Sequence, residues 1–368
     1  MNESSFSGAT PAAAPAAIDQ ARSARAGEEL PLEPLSAWLS SALPALAPPY
    51  TVLQFAKGHS NLTYLVTDAA GRELVLRRPP RGSRVKTAHD MGREVRVLTA
   101  LAPLFPRAPK PLASCDDLAV IGAPFYVMER LRGTILRGPS PALALAPEEK
   151  RAIDRALIDT LAELHRLDPR AKELADLGKP EGYVERQVSG WTRRYQESKT
   201  DEIPEIDETA LWLAAHRPRE SGAALIHNDF KFDNVVLDPS RLSRVLGVLD
   251  WEMSTLGDPL MDLGTALAYW VEDKDRDELK AFAFGPTFTP GSMTRRELAQ
   301  RYAQQSGRDL GEGTFYLAFA MFKNAVVAQQ IYARYKAGLT TDERFAALLF
   351  GVKLLGEESL QVIARGHI

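Results

Sequence analysis

The chain has 368 residues, 45% of them hydrophobic and 25% charged, with a formal net charge of −3. That length suits two lobes rather than one simple core, and the near-neutral balance gives no basic field for nucleic acid or anionic lipid. The single cysteine, Cys115, excludes an intramolecular disulfide and any multi-cysteine metal site, and no apolar run approaches the roughly 18–20 residues of a membrane span. The N-terminus lacks a basic start followed by an apolar stretch, so no secretory signal is expected and the expected location is cytoplasmic.

Residues 1–30 read as a flexible tail, because Ala and Pro with few large apolar groups cannot offset the entropy of ordering. Leu35, Leu39 and Leu43 recur at helical spacing, so folded structure is expected to begin within 32–46. Apolar and β-branched runs over 50–56, 61–68 and 72–78, separated by Gly58 and by Ala69-Ala70-Gly71, read as hairpin strands. A helix is predicted over 89–101, with Met91, Val95, Leu98 and Leu101 on one face and Thr87 or a neighbour as its cap. Residues 118–121 and 125–130 read as two more short strands, which gives five strands and one helix in a first lobe. From Pro147 onward the pattern is helical, beginning with Ile153, Leu157, Leu161 and Leu164 on one face. Further helices are predicted over 184–199, 208–216, 260–271, 310–336 and 342–364, and Thr294-x-x-Glu297 and Thr340-x-x-Glu343 read as capping boxes. The strands expected in this half, 223–226, 235–237 and 245–249, flank the densest polar motif of the chain. The expected fold class is α+β: a tail over 1–30, a β-rich lobe over 31–130 and a mainly helical lobe over 131–368.

That polar motif carries the chemistry. Asp229 and Asn234 stand five positions apart behind His227, and Asp250 follows 16 positions after Asn234 at the end of an apolar strand. Phosphoryl transfer from Mg-ATP needs such a set: one carboxylate to face the acceptor hydroxyl, with an amide oxygen and a second carboxylate as hard ligands for magnesium. Singly, Asp and Asn are ordinary turn residues; the constellation is what points to a site. No Gly-x-x-x-x-Gly-Lys-Ser/Thr run exists, which excludes a P-loop enzyme. No Asp-Phe-Gly and Ala-Pro-Glu pair frames an activation loop, which argues against protein-kinase activity.

The segment His227-Asn228-Asp229-Phe230-Lys231-Phe232-Asp233-Asn234, then Leu249-Asp250-Trp251-Glu252, then Gly257-Asp258-Pro259-Leu260-Met261-Asp262-Leu263, resembles the aminoglycoside phosphotransferase and choline kinase superfamily. Leu161 to Asp168 resembles the helix before that superfamily's catalytic region, and the likeness covers about residues 35–340. Lys57 to Tyr64, Leu76 to Pro80, His89 to Glu94 and Tyr183 to Gln187 look most like the kinase-like domain associated with acyl-CoA dehydrogenases. The resemblance implies a protein-kinase-like two-lobe fold, an N-lobe antiparallel β-sheet with one helix and a mainly α-helical C-lobe. It implies ATP and Mg2+ as cofactors, Asp229 as catalytic base, and Asn234 and Asp250 as magnesium ligands. Asn228 stands where many relatives carry glycine.

On the nucleotide side, Ser60 and Asn61 lie in a predicted turn that either covers the phosphates or is an ordinary hairpin turn. Arg77 occupies the strand end where kinases place lysine, and since Arg77 and Arg78 point to opposite faces only one enters the cleft. Arg77 is the favoured phosphate ligand, with Glu94 as its partner. Met128, Glu129 and Leu131 fall in the strand and hinge between the lobes, where backbone groups of Glu129 and Leu131 would meet adenine. His165 reads as a core histidine, His227 as a tie within the loop, and Asp258 and Asp262 as supports of the loops and the following helix. Glu252 reads equally as a metal ligand or a brace.

The expected partner is a small-molecule hydroxyl acceptor, with no nucleic acid and no membrane. The dehydrogenase-associated likeness suggests a hydroxyacyl-CoA or hydroxy acid. An aminoglycoside resistance kinase would instead need an acidic cleft, for which Asp201, Glu202, Glu205, Asp207 and Glu208 are candidates. A choline-like acceptor would want an aromatic cage, for which Trp191, Tyr195 and Trp270 are candidates. The remaining alternative is a non-catalytic ATP-binding pseudokinase, which would be expected to have lost the base or a metal ligand.

Overall fold

A computed structural model describes residues 17–55, 61–80, 91–138, 145–311, 313–340 and 342–368. Ser60, Thr87 and the 57–59 and 89–90 positions fall outside the described residues.

The first lobe is a six-stranded antiparallel sheet. Its strands are β1 (Ala21–Arg22), β2 (Thr51–Phe55), β3 (Leu62–Thr67), β4 (Glu73–Arg78), β5 (Pro111–Cys115) and β6 (Phe125–Glu129), in spatial order β1-β2-β3-β4-β6-β5. The β3–β4 hairpin turns at Asp68, whose carboxylate accepts the backbone N–H groups of Ala70 and Arg72 at 3.0 and 2.8 Å. Strand alternation divides the lobe's core into two faces. Leu74, Leu76, Phe125 and Val127 pack with Tyr64 against helix α1 (Leu32–Ala42), through Leu35 and Leu39. Val75, Tyr126 and Met128 face α2 (Met91–Leu101), through Met91, Val97, Leu98 and Leu101, and merge there with the core of the second lobe.

Two expectations for this lobe are corrected. Residues 118–121 form not a strand but α3 (Leu118–Ile121), a single turn capped by Asp117 accepting from Ala119 N and closed by left-handed Gly122. A four-residue apolar run between Asp and Gly suits either state, and the cap decides it. The strand lies just before, at β5, hidden by its proline and small residues. Residues 17–30, expected to be flexible, make defined contacts instead. β1 pairs with Phe55 and Gln54 at the sheet edge, Asp19 N–H donates to Gly133 O, and Tyr64 OH donates to Glu28 O. Those contacts use the segment's backbone, which composition does not report.

The second lobe comprises α4 (Pro147–His165), α5 (Tyr183–Ser198), α6 (Pro204–Ala215), α7 (Pro259–Ala268), α8 (Asp277–Lys280), α9 (Arg295–Ser306), α10 (Gly313–Lys336) and α11 (Leu348–Arg365). Two small antiparallel sheets sit at the lobe junction, β8 (Val235–Asp238) with β9 (Arg241–Val248), and β7 (Ala224–Ile226) with the unforeseen β10 (Thr255–Gly257). Helix α10 packs against α5, α6, α7 and α11 and is buried on all sides over much of its length. The Thr294–Glu297 capping box opens α9 as expected. The Thr340 box does not form: Asp342 caps a short 3-10 turn over Glu343–Ala347, and α11 starts after it. None of the helices is long and apolar enough to cross a membrane among the described residues.

Candidate active site

Between β7 and β8 the chain runs through the His227–Asn234 loop, ending in a 3-10 turn over Phe232–Asn234. Asp262, in the first turn of α7, anchors the loop's start. Its carboxylate accepts His227 N–H at 2.6 Å, Asn228 N–H at 2.7 Å and His165 Nε2 at 3.0 Å. Burial opposes its ionisation, yet His165 and the backbone donors hold its carboxyl below the usual range. His227 works in the opposite sense. Its Nδ1 accepts Asp229 N–H at 3.2 Å, which places the proton on Nε2, and Nε2 then donates to Leu249 O at 2.9 Å. Asn234 O accepts Leu249 N–H at 2.8 Å, so the loop and the strand end carrying Asp250 are stitched together.

The Asp229 carboxylate receives Tyr269 OH at 2.7 Å, Lys231 Nζ at 2.8 and 2.7 Å, and Asn234 Nδ2 at 3.0 Å. Its side chain stays 17% exposed, so a hydroxyl can still reach it. Burial and the charge of Asp229 push the Tyr269 phenol well above its usual range, which keeps it a donor. Lys231 is confined from the other side by the Tyr269 and Phe284 rings, at 4.8 and 5.0 Å.

Across the lobe junction, Arg77 gathers the acidic groups. Its guanidinium donates to Glu94 at 2.8 Å and to Asp250 at 2.9 Å, with Glu252 at 3.7 Å. Burial disfavours the charge on Arg77, but these carboxylates raise it well above its ordinary value. Burial likewise resists ionisation of Asp250, and Arg77 overcomes it, leaving the Asp250 carboxyl below its usual range. For Glu94, sealed in the core at 1% exposure, burial wins and pushes the carboxyl up. Arg78 points away, to Ile121 O at 3.2 Å, as alternation along β4 requires. Among the described residues, the non-glycine positions with a left-handed backbone are Asn228 (φ 66°) and Asp250 itself (φ 67°). Neither is glycine, and such strain is characteristic of functional loops.

The donor set suits magnesium. Among the described residues no three His, Cys, Asp or Glu side chains converge as a metal cage. One amide and one carboxylate are nonetheless what Mg2+ takes from a protein when phosphate and water oxygens complete its shell. Asn234 Nδ2 is committed to Asp229, through the carbonyl at 2.8 Å and the carboxylate at 3.0 Å, so Oδ1 is the atom that a cation would use. The buried Arg77 Nε has no partner among the described residues, a donor suited to a phosphate oxygen.

Of the remaining nucleotide-side residues, Asn61 is buried and donates to Glu252 at 2.7 Å, bracing the junction. Met128 is core on the inner sheet face, paired in register with Val75. Glu129 N–H donates to Lys110 O at 2.9 Å, while Lys110 N–H goes to the Glu129 carboxylate at 3.1 Å instead of its carbonyl. Any adenine contact at Glu129 therefore runs through that carbonyl. Leu131 lies against β9, where a Cβ on Gly247 would come within 2.1 Å of its Cδ1 and displace that side chain.

Sequence reading missed Lys231, Tyr269 and Lys323 as neighbours of the base. Lys231 was visible two positions after Asp229. Tyr269, just past the end of α7, and Lys323, on α10, arrive 40 and 94 positions downstream, with no local signal. The candidate aromatic cage does not assemble. Trp270 stacks on Phe232 and faces Lys150, whereas Tyr195 packs on Phe322. Asp201, Glu202 and Asp207 are tied up with Lys336 and Lys199.

Residues 51–298 match the family model for the phosphotransferase enzyme family. The chain is 36% identical over 350 residues to acyl-CoA dehydrogenase family member 11 of Rattus norvegicus, which covers 90% of this chain and 43% of the relative. It spans less than half the length of the curated relatives it matches. A solved structure from Ralstonia eutropha described as an aminoglycoside phosphotransferase is 31% identical, with a TM-score of 0.75 over 92% of this chain and 99% of that one. Choline kinase from Cryptosporidium parvum, at 11% identity, shares the fold with a TM-score of 0.60 over 90% of this chain and 96% of that one. The two-lobe, protein-kinase-like fold expected from the sequence is the one observed.

Proposed function

The chain belongs to the phosphotransferase enzyme family, and on that premise we propose that it transfers the γ-phosphoryl group of Mg-ATP to a hydroxyl of a small molecule. The observation that carries this reading is the convergence of Asp229, Asn234 and Asp250, linked through Leu249 and joined by Arg77 to the first lobe.

Bound Mg-ATP supplies the phosphoryl group and the metal charge that offsets its oxygens. Asp229 orients the acceptor hydroxyl and takes its proton as the new O–P bond forms and ADP departs. Tyr269 and Lys231 hold that carboxylate in place until then. Lys231 can also offer a charge to the transferring group, since its ammonium is the nearest cation to the base. Asn234 and Asp250 would hold the metal, and Arg77, fixed by Glu94, would offer its Nε–H, unpartnered among the described residues, to the phosphates. The Glu129 carbonyl and the Leu131 backbone would meet adenine.

A hydroxyacyl-CoA or hydroxy acid is the proposed acceptor, supported by the acyl-CoA dehydrogenase names of the relatives. A polycationic aminoglycoside fits less well, because Asp201, Glu202 and Asp207 of the acidic run are engaged by Lys199 and Lys336. The test is ADP release from the purified chain with Mg-ATP and a panel of hydroxyacyl-CoAs and hydroxy acids. Acceptor-dependent turnover should fall by about 100-fold or more in Asp229→Asn, the usual scale for loss of a general base. Turnover equal to wild type in that variant would sink the assignment of the base.

A further inference from the structure

We infer that Lys323 is a positioning residue of the transfer site, whose ammonium group locks the left-handed turn at Asn228 and thereby sets the Asp229 carboxylate. The inference rests on the kinase reading above and adds to it a residue far from the motif.

Lys323 lies on α10, in the middle of the second lobe, and is only 4% exposed. Lysine is seldom buried so deeply without a carboxylate partner, yet among the described residues Lys323 forms no salt bridge. Its hydrogen bond goes to the backbone, Nζ to Asn228 O at 2.8 Å, and the Trp191 ring of α5 lies 6.0 Å away. A cation is thus kept in the core to satisfy one carbonyl.

That carbonyl is a sensitive one. Asn228 C=O and Asp229 N–H belong to the same planar peptide group. Lys323 holds its oxygen and His227 Nδ1 accepts from its nitrogen. With both ends held, the plane cannot rotate, and the direction in which Asp229 leaves the backbone is set. The rest of Asn228 is equally committed: its N–H to Asp262, its Oδ1 to Tyr183 OH at 3.2 Å and its Nδ2 to Met253 O at 3.0 Å. A non-glycine residue at φ 66° stays there only while its surroundings hold it, and Lys323 is the sole charged donor among those holding it. Its removal leaves a buried carbonyl unpaired and frees the peptide to turn.

The charged groups acting on Lys323 are Asp229 and Lys231 of the loop and Asp262 of α7. Burial brings its amine down to about 8, with the two carboxylates opposing the fall and Lys231 adding to it. Deprotonation weakens the charge-assisted bond to Asn228, so a positioning role leaves a mark on the pH profile that a packing role does not.

The experiment compares the wild-type full chain with Lys323→Met and Lys323→Arg. It measures Mg-ATPγS affinity by calorimetry and ADP formation, with water and with the hydroxyacyl-CoA panel, across pH 6.5–9.5. Nucleotide affinity should stay within about twofold while kcat falls at least about tenfold in Lys323→Met, because a small misplacement of the base acts on turnover alone. Lys323→Arg should recover much of the loss and remove the alkaline limb near pH 8. Wild-type kcat in Lys323→Met, or an unchanged alkaline limb in Lys323→Arg, would overturn the inference. If Lys323→Met does not fold, Lys323→Gln, a neutral donor, must show the same split. If the wild type binds Mg-ATPγS but forms no ADP, the kinase reading fails by itself. The crystal structure of the folded variant then decides: Asn228 out of its left-handed turn supports the positioning role, and an unmoved loop refutes it.

Discussion

Around Asp229 nearly all the polar partners come from the second lobe, whereas the Arg77 cluster draws Glu94 and Asn61 from the first lobe and Asp250 and Glu252 from the second. The first region is closed within one body. His227, Asn228, Asp229 and Asn234 are tied to Asp262, Tyr269 and Lys323, so the base is built before any ligand arrives. The second region is a clasp across the junction, and its central guanidinium keeps an unpartnered donor among the described residues. The contrast teaches a division of labour. Preorganisation favours chemistry at the base, while a clasp of ion pairs between lobes can exchange partners when phosphate enters.

The largest stability effect should come from the clasp. Arg77→Met leaves Glu94 and Asp250 without their cation, and urea unfolding should show a loss of about 3–5 kcal/mol, as for other broken buried pairs. Mg-ATPγS binding should be lost with it. A loss below about 1 kcal/mol would mean that water already screens the cluster, and the contrast between the regions would collapse.

A smaller effect separates the two regions by pH. Lys323 titrates near 8 in the fold and near 10.4 when unfolded, so between these values the unfolded chain binds more protons. The contribution of Lys323 to stability should therefore rise with pH across that window, by up to about 3 kcal/mol. Denaturant unfolding of wild type and Lys323→Met at pH 7.5 and 9.5 should show the wild type gaining relative to the variant. A constant difference would show that Lys323 is not a buried cation.

The smallest effect is expected outside both regions. Thr294→Ala removes the capping box of α9 and should cost about 1 kcal/mol in unfolding free energy. Nucleotide affinity and turnover should not change, and if they do, the site is coupled to α9 more tightly than its contacts indicate.

Much of the architecture was legible from local pattern. The alternation of β4 meant that only one of Arg77 and Arg78 could enter the junction, and the favoured Arg77 is the one there, paired with Glu94 at 2.8 Å. The Thr294 box, the Asp258 cap of α7 and the core role of His165 also follow from residue type and spacing. What failed did so where local preference was balanced. Residues 118–121 suited helix and strand alike, and residues 17–30 carry few large apolar side chains but hydrogen-bond through their backbone. Glu252, equally a brace or a metal ligand on paper, accepts from Asn61 at 2.7 Å, a contact between positions 191 residues apart.

By itself the sequence determined the order of the elements and the spacing of base, amide and second carboxylate, because helical and strand periodicities and loop motifs act over a few residues. Only the tertiary structure decided which distant groups hold those residues in place: Tyr269 and Lys323 on Asp229 and its peptide, Asp262 beneath the loop, Arg77 across the junction. Such contacts depend on how helices and sheets pack, and packing is settled by the shapes of whole surfaces rather than by any short run of residues.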